Sequence, residues 1–275
     1  MQIWAHTLVK DEEKWLWYSV SSIVNYVDKL LLWDTGSKDG SIEIEKELQK
    51  KYPGKIEIQQ KKQETGEEFT HMRQEMLDST KADWFLMLDG DEIWWKDSIK
   101  KVVETIRCND DCGIESIVVP TVNLVGDVFH YQERNAGKYR FGNMVGHYNL
   151  RAIRTNVPGL HSQGVHGVWG WADCDNKMIQ DRDSYKYVDA PYMHTTNLER
   201  SKDDKFVIKR NKKYRHEIGD TFPLDYFYPE VFFEDKPENV YCPWRNMSPG
   251  FFARSFFETP LRKIKRRFFV SSVGY

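Results

Sequence analysis

Residues Asp83–Trp95 read DWFLMLDGDEIWW, and the architecture of the chain turns on this stretch. Trp84–Leu88 is a continuous apolar run of strand length, bounded too sharply to be a helix. A strand apolar on both faces belongs at the centre of a parallel sheet covered by helices. The run stops at Asp89-Gly90-Asp91-Glu92. Three carboxylates just past the carboxyl end of a buried strand stand where open α/β sheets bind their ligands. Two acids separated by one residue, with a glycine letting the backbone turn, can grip a hard divalent cation through oxygen. The plainer alternative is a polar turn after a core strand.

Upstream, strand and helix alternate. Ile3–Leu8 reads as a first strand, and Asp11 is placed to cap a following helix, with Glu12 and Glu13 in its first turn. Leu16, Val20, Ile23 and Val27 share one helical face. Leu30–Trp33 is a second buried strand, ending at Asp34 and the turn DTGSKDGS. A helix carrying Ile44 and Leu48 follows, then a short strand with Ile56 and Ile58, then a helical stripe of Phe69, Met72 and Met76. Past the acidic cluster, Ile99, Val102, Val103 and Ile106 mark another helix, and Ile117–Val119 another strand. This order implies a mostly parallel sheet with right-handed crossovers. Three polar clusters then fall on one sheet edge: Thr7–Lys10, Asp34 and Asp89–Glu92. Together they suit a nucleotide diphosphate, with an acid for base or ribose and acids for the ion bridging two phosphates.

The 275 residues suit one large α/β domain, or a domain with an appended region. Forty Lys and Arg against 42 Asp and Glu leave a net charge of −2, which argues against a nucleic-acid binder. Cys108 and Cys112 are close enough in sequence to pair. With only Cys174 and Cys242 besides, no disulfide framework is expected, and reduced thiols are the simpler reading. The opening MQIWAHTLVKDEE lacks a basic segment followed by a long apolar one, and no run of about 18 apolar residues occurs. A cytoplasmic protein is the expectation, with a peripheral place at the inner face of the membrane as the alternative.

The ordered set TLVKDEE, LLLWDTGSKDGS, THMRQEML and FLMLDGDEIW resembles the family-2 glycosyltransferases of the GT-A fold, and within them bacterial enzymes that build lipopolysaccharide core or cell-surface glycans. That resemblance implies a Rossmann-like sheet flanked by helices with a C-terminal helical or irregular extension. It divides the chain into a catalytic domain at 1–200 (nucleotide-sugar half 1–95, acceptor half 96–200) and an extension at 201–275. It implies that Thr7, Leu8, Asp34, Arg73 and Asp89 contact the nucleotide or its diphosphate, and that Asp91 and His194 ligate Mn²⁺ or Mg²⁺. A metal there would neutralise charge on the departing diphosphate as a Lewis acid. Asp11 and Gln74 stand where the family has asparagine.

The second half departs further. Thr121–Thr155 is strand-like, with an insertion, NAGKYRFGN, at 135–143. The aromatics Phe129, Tyr131, Tyr139 and Phe141 suit either a sugar platform or core packing. NLRAIR at 149–154 resembles the strand that precedes a His-Glu pair in the family, but here the pair is His166-Gly167. Inverting transfer needs a group to take the acceptor's proton. Asp173, with Trp169 and Trp171 as an apolar wall, is the preferred base, and His166 and Asp175 are the alternatives. Lys202–Arg215 reads as a charged helix, and Phe222–Trp244, rich in Pro and aromatics, as a wrap around the catalytic domain. In Leu261–Phe269, the apolar Leu261, Ile264 and Phe268 share a face and five cations crowd the rest, which suits a membrane surface or a docked terminal helix.

The leading expectation is a metal-dependent inverting transferase moving sugar from a nucleotide sugar, UDP-sugar first, to a glycan or lipid-linked acceptor. A nucleotidyltransferase is disfavoured because TLVKDEE has no glycine-rich phosphate loop. A non-catalytic glycan-binding protein that kept the fold is the third reading.

Overall fold

The computed structural model describes residues 1–108, 113–165, 169–198 and 216–268. Chain order runs β1 (Ile3–Val9), α1 (Leu16–Ile23), β2 (Lys29–Asp34), α2 (Ser41–Lys51), β3 (Ile56–Gln60), α3 (Gly66–Ser79) and β4 (Trp84–Met87). It continues with β5 (Glu92–Trp94), α4 (Lys96–Cys108), β6 (Ser116–Val125), β7 (Asp127–Tyr131), β8 (Tyr139–Phe141), β9 (Met144–Gly146) and β10 (Tyr148–Arg154). The last elements are β11 (His161–Gln163), β12 (Gly170–Ala172), β13 (Tyr185–Tyr187), β14 (Tyr192–Asn197), β15 (Asp220–Thr221) and α5 (Pro249–Phe268).

The sheet runs β15-β7-β6-β10-β4-β1-β2-β3. β3, β2, β1 and β4 are mutually parallel, as the alternating pattern requires, and β10 is antiparallel between β4 and β6. β4 is central and apolar on both faces. Trp84, Leu86 and Leu88 enter the core shared with α1 and α4, while Phe85 and Met87 face Ile153 and Trp171. β6 is long enough to serve two layers. Its first half pairs β10 and its second half pairs β14, which in turn holds β5. That second pairing brings residues near 194 against the acidic loop.

Two local expectations are corrected. Asp11 does not cap α1, which starts at Leu16 with no side-chain cap. Instead Asp11 sits at φ 54°, where its Oδ1 accepts from the Lys38 amide at 2.6 Å, and Glu13 Oε2 accepts from the Gly40 amide at 2.8 Å. The acids after β1 thus fasten the turn that opens α2, where the helix dipole favours them. Gly90 is not required by a left-handed backbone either. A Cβ there would lie 3.0 Å from Val9 Cγ1 and 3.2 Å from Glu12 Cγ, so glycine is needed for space.

The segment Phe222–Trp244 wraps the domain as expected. Tyr18 donates to the Tyr241 carbonyl at 2.6 Å, Trp95 Nε1 to the Phe227 carbonyl at 2.9 Å, and Phe232 meets Tyr18 edge-on. Of the four aromatics considered for a sugar platform, Phe129 stacks on Trp244 and Tyr131 on Phe222, so both serve this wrap. Phe141 is buried against Tyr185. The basic helix begins at Pro249, well before Leu261, and Phe269 lies outside the described residues, as do Cys112 and the charged stretch 202–215. Cys108, Cys174 and Cys242 are free thiols. Among the described residues no helix is long and apolar enough to cross a membrane.

Candidate functional site

The acidic loop between β4 and β5 is held from two sides, by α1 and by β14. Ser19 Oγ donates to the Asp89 carbonyl at 2.8 Å, and the Thr195 amide donates to the Asp91 carbonyl at 2.9 Å. β14 runs antiparallel to β5 with His194 opposite Glu92. The pairing carries the His194 imidazole to the acids, with Nε2 3.5 Å from Asp91 Oδ2. Asp91 is buried and Asp89 is 42 % exposed, so the loop keeps one carboxylate inside and presents the other to solvent.

Two arginines converge on the loop. Arg73, from α3, is 2 % exposed, and its Nη2 donates to Asp89 Oδ1 at 3.2 Å. Phe69 and Trp169 flank its guanidinium, each with a ring centroid 5.2 Å away. Nε and Nη1 of Arg73 have no hydrogen-bond partner among the described residues. A buried guanidinium with unspent donors is set up to receive an anion. Gln74, next to it, accepts from the Ser162 amide at 2.8 Å and so ties β11 to α3.

Arg151 is the site residue that the motif reading missed, and Glu92, read there only as part of the acidic cluster, is its partner. Arg151 lies at a bulge in β10, where the register with β6 slips between Leu150 and Ala152. A bulge of this kind re-aims a side chain. Arg151 pairs with the fully buried Glu92, approaches Asp89 Oδ2 at 3.6 Å, and lies over Tyr192, whose hydroxyl accepts from Arg151 Nε at 3.0 Å. Burial raises the Glu92 carboxyl to about 7, against the pull of Arg151. Burial also opposes charge on Asp89, but Arg151 and Arg73 outweigh it and hold that carboxyl below its ordinary value. A strand arginine between Leu150 and Ala152 is the signal that was legible, because a buried cation demands a carboxylate.

At the end of β2, Asp34 is fully buried. Its Oδ1 accepts from the Gly36 and Ser37 amides, both at 2.8 Å, which shapes the DTGS turn. Beside it is Glu45 of α2, 1 % exposed, with the Gln60 amide donating to Oε2 at 2.9 Å. Burial, and then the Asp34 charge, push the Glu45 carboxyl up to about 8. Thr7 is fully buried and Leu8 packs with Leu31, Trp33, Met72 and Met76, so their side chains belong to the core.

Asp173, expected as the base, is engaged by its own turn. Its Oδ1 accepts from the Asp175 and Lys177 amides, both at 3.0 Å, and its Oδ2 pairs with Arg182. Burial opposes its charge, but these donors more than compensate and lower its pKa. A carboxylate so engaged organises its turn and is a poor acceptor for a further proton. Trp171 packs on Phe85 and Trp169 on Arg73, so neither walls Asp173 as expected. Asp175 is exposed, and His166 lies outside the described residues.

Among the described residues no group of three or more His, Cys, Asp and Glu side chains is gathered as a metal-holding set. Asp91 with His194 supplies one carboxylate and one imidazole. That share fits a Mn²⁺ or Mg²⁺ ion that takes its other ligands from water and substrate phosphates.

The sequence profile of glycosyl transferase family 2 matches residues 6–162. Similar solved structures include residues 1–349 of S. aureus TarS, with a TM-score of 0.48, 12 % identity, and coverage of 71 % of this chain and 61 % of that one. The same TarS fragment in complex with UDP has a TM-score of 0.39 at 14 % identity, covering 57 % and 48 %. Glucosyl-3-phosphoglycerate synthase from Mycobacterium tuberculosis, in complex with phosphoglyceric acid, has a TM-score of 0.45 at 16 % identity, covering 74 % and 72 %. No curated protein sequence matches the chain. The match of the profile to more than half of these residues decides the assignment: the chain belongs to glycosyl transferase family 2.

Proposed function

We propose that the chain is a metal-dependent inverting glycosyltransferase that moves a sugar from a nucleotide-diphosphate sugar, with UDP as the nucleotide, to a glycan or lipid-linked acceptor. The observation that carries this reading is the meeting of Asp91 with His194 beside the Arg73–Asp89 pair, past the carboxyl end of β4. Asp91 and His194 would hold Mn²⁺ or Mg²⁺, whose Lewis acidity offsets the charge that develops on the leaving diphosphate. The unspent donors of Arg73 would receive a phosphate oxygen, and Asp89 would face the ribose or a water in that network. The Asp34 turn, beyond the end of β2, would receive the base, with backbone at Thr7 and Leu8 along its edge. Residues 1–95 form the donor half, 96–200 the acceptor half, and 201–275 an extension. With Asp173 spent on its turn, the acceptor's proton falls to His166 or Asp175.

Release of UDP from a panel of UDP-sugars, with Mn²⁺ and with EDTA, tests the proposal. The wild type should release UDP only with metal. Asp91→Ala should lose at least about a hundredfold in rate with its fold intact, because its role is electrostatic stabilisation of developing charge. Equal turnover in EDTA would sink the metal role. Tight donor and metal binding without transfer to any acceptor would favour the glycan-binding reading.

A further inference from the structure

Helix α5 carries an apolar face that the rest of the described chain does not cover. Its inner side is docked. Phe251 and Ser255 are buried, Arg266 pairs with Glu217 and, at 3.0 Å, with Glu133, and Arg262 Nε donates to the His216 carbonyl at 3.2 Å. At 3.6 residues per turn, Phe257, Leu261, Ile264 and Phe268 fall within roughly 60° of one another on the far side. These four are 53–74 % exposed, and Phe252 and Phe256, elsewhere on the helix surface, are exposed as well. Exposed Lys263 and Arg267 border this face on one flank and exposed Lys265 on the other, and none has an ion-pair partner among the described residues. The helix holds six cations against the single acid Glu258, a net of +5 in a chain whose net charge is −2.

We propose that α5 is an in-plane membrane helix that docks the protein on an anionic lipid surface. A contiguous aromatic and aliphatic face marks an interaction site. Bracketed by Lys and Arg on a helix, it has the form that settles at the boundary of headgroups and acyl chains. The charge decides the occupant. A second copy of this chain would set the same unpaired cations against each other, whereas phosphate-bearing lipid neutralises them. The anchor of the helix leads back toward the site. The Glu133 carbonyl lies 3.1 Å from His147 Nε2, His147 Nδ1 lies 2.8 Å from Asn123 Nδ2, and Asn123 is in register with His194. The docked helix would thus hold the acceptor half against the surface that carries a lipid-linked acceptor, a consequence that rests on the proposed transferase reading.

Co-sedimentation of the full chain with vesicles tests the docking. The wild type should pellet with vesicles of phosphatidylglycerol and phosphatidylcholine in equal parts, remain in solution with pure phosphatidylcholine, and be released by salt. Replacing Lys263, Lys265 and Arg267 by alanine should weaken binding about fivefold per cation. The triple change Phe257→Ser, Leu261→Ser and Ile264→Ser should abolish it while circular dichroism and UDP release stay at wild-type levels. A wild type that ignores anionic vesicles, or a serine variant that still binds them, overturns the proposal. A wild-type dimer that the serine variant dissociates, without vesicle binding, assigns the face to a second copy. Vesicle binding without UDP release refutes the transferase reading and leaves the docking standing; UDP release without vesicle binding does the reverse.

Discussion

Arg151 is the residue on which the charge balance of the acidic loop depends. Among the described residues it is the cation that pairs with both Glu92 and Asp89, and it lies 11 % exposed in a strand flanked by two others. Removing one partner of such a pair strands the other charge out of water. Arg151→Ala should therefore destabilise the fold by about 3 kcal/mol in urea denaturation and raise the Glu92 pKa further. Arg151→Lys should recover only part of this, since a single ammonium cannot reach Glu92, Asp89 and the Tyr192 hydroxyl as the guanidinium does. A wild-type urea midpoint for Arg151→Ala would show that Glu92 is neutral and needs no partner. At this scale the sequence was partly legible. Asp89, Asp91 and His194 were placed by motif, but Arg151 and Glu92 meet only because β10 and β4 are neighbours and a bulge turns the arginine, and neither fact has a local signature. The same holds for Asp173. Its dependence on Arg182 is set by the fold of the 173–182 segment and not by the HGVWGWADCD string that suggested a base.

Two turns give predictions at the scale of elements. In the segment after β12, Asp173→Asn should lower the melting temperature, because an amide cannot accept Arg182 and two backbone amides as the carboxylate does. Transfer per folded molecule should be unchanged. A folded Asp173→Asn protein with kcat lost would restore Asp173 as the base. In α2, just past the turn from β2, the Glu45 carboxyl, pushed up to about 8 by burial and then by Asp34, holds a proton that the unfolded chain releases near the ordinary value of 4.5. A raised carboxyl pKa contributes stability below the unfolded value and loses it as pH rises through the folded one. His6, lowered to about 3 by burial and the Arg73 charge, acts in the acid range, and Glu92 changes charge near 7. The interval from pH 7 to 8 carries the lower half of the Glu45 titration together with the upper half of that of Glu92, and Glu45→Gln removes only the first. Stability in EDTA should fall by about 1 kcal/mol across it. Glu45→Gln, which keeps a hydrogen-bonding side chain without a titrating proton, should flatten that slope; an unchanged slope would show that Glu45 is ionised when folded. The strands and helices around these turns were readable from periodicity, since each obeys its own local pattern. The interlock of Asp11 and Glu13 with residues 38–40 was not, because it joins two loops distant in sequence.

Across the whole molecule, the alternating half was legible and the second half was not, for one physical reason. Parallel strands with helical crossovers write their burial into contiguous apolar runs. The segment at 222–244 has no such period, and it is held by contacts with residues distant in sequence, from Tyr131 back to Trp15. Trp15 meets Tyr241 edge-on, Tyr18 donates to the Tyr241 carbonyl and touches Phe232, and the Lys96 amide donates to Glu230 at 2.9 Å. Phe222 stacks on Tyr131 and Tyr226, and Trp244 on Phe129. These rings cover α1 and β7, so the wrap and the main sheet share one core. A chain ended after residue 198 would leave Trp15, Tyr18 and Phe129 facing water, together with a polar donor at Tyr18 that has lost its acceptor. Large aromatics dominate core energetics, with roughly 150–250 Å² buried by each. The expected result is a truncated chain that aggregates or melts well below the full chain, and a full chain that unfolds in one transition seen alike by tryptophan fluorescence and far-ultraviolet circular dichroism. Ending the chain after residue 248 instead removes α5 and keeps the wrap, and should cost far less stability. If truncation at 198 leaves the melting temperature unchanged, the wrap is a separate unit resting on a domain complete without it.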